Sequence, residues 1–291
     1  LPLDGREEQA VERERYPRPG DRNPNVTVHV VDAAGGDPVT VDLSAYTEGD
    51  FLVSHVSWID GGDALHLHVQ DRSQTWLDVL RADPRTGAVT RLLRDRTEAW
   101  ISSPGAPHEL ADGGFIMASE RSGWNHLYRY DRDGGLRNAI TTGEFDVQRI
   151  EHVDEASGRV LLRATVPGPV RTHLFAASLD GTSPPVRLTR EEGSHRVSVS
   201  PDGRLFVDAW SSFEHPTRVV LRDADGEAIR TIDENPVPAW DAWDLGTFRH
   251  ERITLADGTV LDATLQLPPG FDPTRRYPAW FMTYGGPQAP T

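Results

Sequence analysis

Residues 201–210 read PDGRLFVDAW. Pro201-Asp202-Gly203 is turn chemistry: Pro presets its own φ, Asp bonds to nearby backbone amides, and Gly accepts a positive φ. The stretch 204–210 then alternates in part between side chains suited to opposite faces of a strand. A turn that leads directly into a strand predicts a hairpin, and the same punctuation recurs upstream. Comparable turns stand at Asp60-Gly61-Gly62, Asp112-Gly113-Gly114 and Ser157-Gly158. Measured at Gly61, Gly113, Gly158 and Gly203, the steps are 52, 45 and 45 residues.

Each of these turns is followed by a second, at Thr86-Gly87, Asp133-Gly134, Asp180-Gly181 and Asp225-Gly226. The second turns lie 26, 21, 23 and 23 residues after the first. The segments between them read as strands, most clearly Ala-Leu-His-Leu-His-Val-Gln at 64–70 and, in part, residues 159–165. Two hairpins per unit make four strands. Four strands repeating at roughly 45 residues predict the blades of a β-propeller. Four units fit between about Asp50 and Glu234. Residues 26–32 and 39–43, with a turn at Gly35-Gly36, supply the second hairpin of one more, for about four and a half blades. A long β-sandwich would explain the strands but not the paired spacing of the turns.

After residue 234 the texture changes. Pro236, Pro238, Trp240 and Trp243 mark an aromatic linker. Residues 252–255, the turn Ala256-Asp257-Gly258-Thr259 and residues 260–267 predict a long hairpin, ended by Pro268-Pro269-Gly270. The apolar run at 277–284 predicts one further, buried strand, broken by Gly285-Gly286-Pro287. A hairpin followed by a buried strand and a Gly-rich loop is how many α/β-hydrolase sheets begin. The expected division is therefore a propeller portion over residues 1–245 and the start of a second domain over 246–291. A chain that starts at Leu1 and stops just after such a strand is expected to be a piece of a larger protein.

Composition narrows the function classes. A formal charge of −15 argues against a nucleic-acid backbone or an anionic membrane as partner. All 30 basic residues are Arg, in keeping with a GC-rich genome. With no cysteine there is no disulfide, no thiol nucleophile and no Cys-ligated metal. No run approaches the 18 apolar residues of a membrane-spanning helix. The compartment stays open, cytoplasmic or periplasmic for a bacterial protein. Asn25-Val26-Thr27 matches a glycosylation sequon, a tripeptide common by chance. Eleven histidines form no H-x-x-x-H pair, so neither metal nor cofactor is expected. Asp131-Arg132-Asp133-Gly134 opens like a calcium loop, but it lacks the later acidic ligands and suits a hairpin turn. Trp58, Trp76, Trp124 and Trp210 are expected to pack the blades, and Trp240 and Trp243 to line the domain junction.

Three segments carry a resemblance. Tyr16-Pro17-Arg18-Pro19-Gly20 with Asn23-Pro24-Asn25-Val26, then Ser119-Glu120-Arg121-Ser122-Gly123-Trp124-Asn125-His126-Leu127-Tyr128, then Tyr277-Pro278 through Tyr284-Gly285-Gly286-Pro287 resemble, in this order, segments of dipeptidyl peptidase IV-like serine peptidases. That resemblance implies an eight-bladed propeller capping an α/β-hydrolase domain in a homodimeric exopeptidase. Its substrate would be a peptide, cleaved to release an N-terminal dipeptide after Pro or Ala. It further implies that Tyr284, at the strand's end, donates to the oxyanion of the attacked carbonyl.

The nucleophile elbow G-x-S-x-G is absent from the chain, so the chain alone is expected to be inactive. The family's triad would lie beyond Thr291. The family also anchors the substrate ammonium with a glutamate pair. Glu7-Glu8 lies only nine residues before Tyr16 and reads as solvated surface charge; the true pair would lie upstream of Leu1. Competing functions are a non-catalytic propeller that binds a protein partner, and an acylaminoacyl- or oligo-peptidase of the same superfamily. Residues 247–291 argue against a pure propeller, which has no use for a hydrolase-like hairpin.

Overall fold

A computed structural model describes residues 16, 18–21, 23–47, 49–102, 104–166, 168, 170–239 and 242–283. The chain divides into two compact units, residues 1–103 and 104–291. The first holds a two-stranded ladder, β1 (His29–Val30) with β2 (Val39–Thr40), and a four-stranded sheet. That sheet runs in order through β3 (Phe51–Ile59), β4 (Ala64–Asp71), β5 (Trp76–Ala82) and β6 (Val89–Arg96).

Among the described residues the second unit holds three more four-stranded sheets. They are β7 (His108–Glu109), β8 (Phe115–Ser119), β9 (His126–Tyr130) and β10 (Leu136–Ala139); β11 (Val147–Asp154), β12 (Arg159–Ala164), β13 (His173–Ser178) and β14 (Val186–Arg187); and β15 (Ser194–Val199), β16 (Leu205–Ser211), β17 (Arg218–Asp223) and β18 (Ala228–Asp233). Every pairing inside these sheets is an antiparallel neighbour pairing, the meander of a propeller blade. A last hairpin joins β19 (Thr247–Thr254) to β20 (Val260–Leu267). Four blades and a half-blade match the expected fold class. The half-blade ladder is shorter than its sequence pattern, with two residues pairing on each strand.

The paired turns form where the sequence places them. Asp side chains cap many of them: Asp131 Oδ1 accepts from the amides of Asp133 and Gly135 at 3.1 and 2.7 Å, and Asp223 Oδ1 from those of Asp225 and Glu227 at 3.0 and 2.9 Å. The Asp131 segment is thus a hairpin turn, built from local side-chain-to-backbone bonds.

Both faces of a blade are covered, which changes how its strands read. In β12, Val160, Leu162 and Ala164 join a core with Ile116 and Leu127 of the preceding sheet and Ile140 just after it. Leu161, on the opposite face, packs with Leu174, Leu188, Val197 and Phe206. Period-2 alternation therefore sorts residues between two apolar seams rather than between core and water. Both faces of β4 are buried too, but one is polar: Leu65, Leu67 and Val69 face an apolar core, while His66, His68 and Gln70 are buried on the other side.

Two expectations are corrected. Residues 277–283 form no strand, and Trp280, Phe281 and Met282 are 88–89% exposed. A strand is held by a neighbour's ladder, and among the described residues the free edges of β19 and β20 offer this run no pairing. The tryptophans also divide. Trp76 packs on Tyr46 with ring centroids 5.9 Å apart, under the Arg94 guanidinium at 4.4 Å. Trp210 lies half-buried beside His195 and His215. Trp58 and Trp124 instead leave 56% and 38% of their surface exposed and do not fill a core.

Candidate functional site

Tyr284, Gly285, Gly286, Pro287, Glu7, Glu8 and Trp240 lie outside the described residues. The approach to Tyr284 is described as far as residue 283. Asp272 caps the turn before it, accepting from Thr274 N at 2.9 Å and Thr274 Oγ1 at 2.7 Å. The Tyr277 hydroxyl accepts from Asp272 N at 3.0 Å, and its ring meets Phe271 at 5.2 Å.

The site that the described residues do build lies where the last blade meets the β19–β20 hairpin. Beyond β16 the chain turns sharply, with Ser212 N donating to His215 O at 3.1 Å. Trp210 holds that turn from beneath, its ring 5.2 Å from His215. The turn presents Phe213, which stacks on Phe248 of β19 at 5.3 Å and 10°. The linker after β18 carries Pro236 and Pro238, which cannot donate to a ladder. It returns to β19 through Gly246, where a Cβ would sit 1.8 Å from the Leu267 carbonyl oxygen, so only glycine lets the two backbones approach. Between turn, linker and hairpin opens a cleft of about 930 Å³. Phe213, Trp243 and Phe248 give it aromatic walls, and Glu214 and Asp244 give it two carboxylates. Trp243 thus borders the hairpin, as its place in the linker suggests.

Behind this cleft lies a charged network that sequence reasoning missed. Asp208, fully buried on β16, receives His195 Nδ1 at 2.8 Å and Arg222 Nε at 3.0 Å. Arg222 Nη2 continues to Glu191 at 2.6 Å, and His195 Nε2 lies 2.9 Å from the Glu191 carbonyl oxygen. Glu191-Glu192 is an adjacent glutamate pair of the type that could hold an ammonium. Both carboxylates are already taken, Glu191 by Arg222 and Glu192 by Arg171 at 2.6 Å and Arg187 at 3.2 Å. Burial is the largest influence on the Glu191 carboxyl and raises it, but the hydrogen bond and charge of Arg222, a backbone hydrogen bond and nearby His195 together outweigh it and hold the group below its usual range. Three guanidiniums thus neutralise the pair, and its work is structural. In the first unit Asp78 plays a similar part, bound by Arg94 through two contacts of 2.5 Å and by the Tyr46 hydroxyl at 2.7 Å.

Buried imidazoles are the other titratable groups. Burial pushes His68 down to about 3 and His173 down to about 4. His68 neighbours His55 and His66, and His173 neighbours Arg187, His195, Glu192 and Arg171; among the described residues no cluster of three or more His, Asp or Glu has the geometry to hold a metal. No helix among them is long and apolar enough to cross a membrane.

Four-stranded antiparallel blades with a trailing hairpin define a β-propeller portion, and comparison with known proteins specifies which. Residues 2–217 match the family model "Dipeptidyl peptidase IV (DPP IV) N-terminal region", and the chain belongs to that family. Dipeptidyl peptidase 4 of Trichophyton equinum is 27% identical over 288 residues, covering 94% of this chain and 37% of its own length. The same protein of Arthroderma otae is 27% identical over 286 residues. The crystal structure of Porphyromonas gingivalis dipeptidyl peptidase 4 superposes with a TM-score of 0.81 at 26% identity, over 91% of this chain and 38% of that one. A Bacteroides ovatus structure superposes at a TM-score of 0.80 with 21% identity, a likeness of fold alone. The chain thus spans well under half the length of the relatives it matches.

Proposed function

We propose that this chain is part of a serine exopeptidase that releases N-terminal dipeptides with Pro or Ala in the penultimate position. Residues 1–245 form the later blades of its propeller, which gate access and hold substrate; residues 246–291 open its α/β-hydrolase domain. One observation carries the reading: similarity to dipeptidyl peptidase 4 proteins covers 94% of the chain, so it reaches beyond the blades into the hairpin. A free-standing binding propeller would not account for that hairpin. The chain contains no G-x-S-x-G and has no nucleophile elbow of its own. Full-length protein is expected to turn over Gly-Pro-p-nitroanilide and to be blocked by a serine-directed phosphonate, while the 291-residue chain releases nothing. Folded full-length protein that leaves this substrate intact would overturn the reading.

Within it, Tyr284 donates its phenol hydrogen to the oxyanion. Tyr284→Phe removes the donor and keeps the ring. In the full-length enzyme kcat is expected to fall roughly 10²–10³-fold, about 2.7–4 kcal/mol, with product-dipeptide affinity and Tm little changed. Unchanged kcat in a folded variant would remove Tyr284 from the mechanism.

A further inference from the structure

Two dipeptides of one kind face a single cleft: Phe213-Glu214 from the turn after β16 and Trp243-Asp244 from the linker. Each supplies a flat ring followed by a carboxylate. Among the described residues no Arg or His lines the cleft, and its volume of about 930 Å³ suits a side chain with its flanking backbone. Among the described residues Glu214 and Asp244 enter no ion pair, whereas Glu191 and Glu192 behind them are bound by arginines. Trp243 leaves 71% of its surface to solvent although it stands in a concave site. An indole face so placed loses unfavourable hydration when a planar group covers it. The opposite wall is preorganised, because Phe213 is already stacked on Phe248 at 10° and its turn is backed by Trp210 and His215.

We propose that this cleft binds an arginine side chain of a peptide or protein. A guanidinium is planar and donates through five N–H groups, so it can lie on an aromatic face while its edge pairs with carboxylates. A lysine ammonium would use the two charges but not the flat walls. An anion would meet only acidic groups, and a neutral apolar ligand would leave both carboxylates without a cation. The cleft is therefore selective for guanidinium by charge and shape together. It is independent of the peptidase reading, since it rests on the lining residues and on no catalytic step.

The test is titration calorimetry on the full-length protein with acetyl-Ala-Arg-Ala-amide, whose blocked amino end keeps it out of any site that requires a free N-terminus. The comparison ligand is the same peptide with citrulline, an uncharged isostere of arginine. The arginine peptide is expected to bind saturably, and the citrulline peptide roughly tenfold more weakly. Glu214→Gln with Asp244→Asn should abolish that preference; Trp243→Ala should weaken the arginine peptide alone by a similar factor. Both positions are exposed, and unchanged Tm and circular dichroism will verify folding. Equal affinity for the two peptides overturns the proposal, as does a preference that survives in the double variant. Absence of binding at about 1 mM peptide overturns it too, and is the result expected if another part of the full-length chain fills the cleft. Hydrolysis of Gly-Pro-p-nitroanilide is measured separately, so the failure of one reading leaves the other standing.

Discussion

Gly226, in the β17–β18 turn, lies against the backbone of Leu188, the residue after β14 in the preceding sheet: a Cβ at Gly226 would sit 2.2 Å from the Leu188 carbonyl oxygen. The relationship repeats. Gly181 meets the Ala139 carbonyl and Gly87 the Thr40 carbonyl, each at 2.0 Å by the same measure. Each of these outer turns is seated on the last strand of the sheet before it. The glycines of the repeat therefore do two things, accepting a positive φ and admitting the neighbouring backbone.

Gly226→Ala is expected to cost roughly 1–2 kcal/mol for the left-handed backbone at φ +87° and about 1–3 kcal/mol more for the forced shift of the seam. Gly158→Ala is the control, since Gly158 has φ +67° but no atom within 4 Å of a Cβ. It should pay only the first cost. Thermal unfolding of both variants measures the difference; equal drops in Tm would refute the seam.

Arg222→Met takes the guanidinium from two carboxylates at once, Asp208 at 3.0 Å and Glu191 at 2.6 Å, and leaves buried Asp208 to its His195 hydrogen bond. With Asp208 fully buried, the loss should be about 3–5 kcal/mol by denaturant titration. Adding Asp208→Asn should recover part of it, because the buried charge that lost its guanidinium is gone. Arg204→Met is the comparison: that side chain is 85% exposed and 3.9 Å from Asp202, so it should shift stability by under about 1 kcal/mol. A loss for Arg222→Met no larger than for Arg204→Met would show that the network contributes nothing.

Acid should weaken the fold early, through histidines rather than carboxylates. His68, His66 and His173 have folded values near 3, 4 and 4, below the ordinary 6.5, mainly because of burial. The unfolded chain therefore binds more protons as pH falls below about 6.5, and stability declines from there toward pH 4, by roughly 1–2 kcal/mol per imidazole at pH 5. Asp180, held near 2 first by the Ser178 hydroxyl and then by Thr182, adds a loss only below its unfolded value of 3.8. Tm measured from pH 7.5 to 4.5 should fall steadily, and less steeply in His173→Gln. A flat profile above pH 5 would contradict this account.

The sheet and strand order of the described residues was legible in the sequence because its signals are local. An Asp-Gly or Ser-Gly pair specifies a turn through its own φ preference and through side-chain bonds spanning two to four residues, as at Asp131 and Asp223. Strand periodicity is equally local, and together they set the number of strands in the four blades and their antiparallel order, though not the boundaries: β1 and β2 are shorter than their patterns, and β19 begins at Thr247 rather than Arg252. The run 277–283 misled for the same reason. Apolar aromatic residues favour a strand, but only a neighbouring ladder makes one.

What only the tertiary structure decided is which residues meet across those elements. Arg222 reaches Glu191 across 31 positions, and His66 and His68 sit in a strand whose alternation alone would turn them to solvent. Phe213 stacks on Phe248, so a turn, a linker and a hairpin come to share one cleft with two carboxylates that enter no ion pair among the described residues. Local preference fixes each residue's φ and ψ within a few neighbours of sequence. Burial, charge pairing and cleft shape arise from superposing whole sheets, and that superposition depends on side-chain volumes from segments the chain separates by tens of residues.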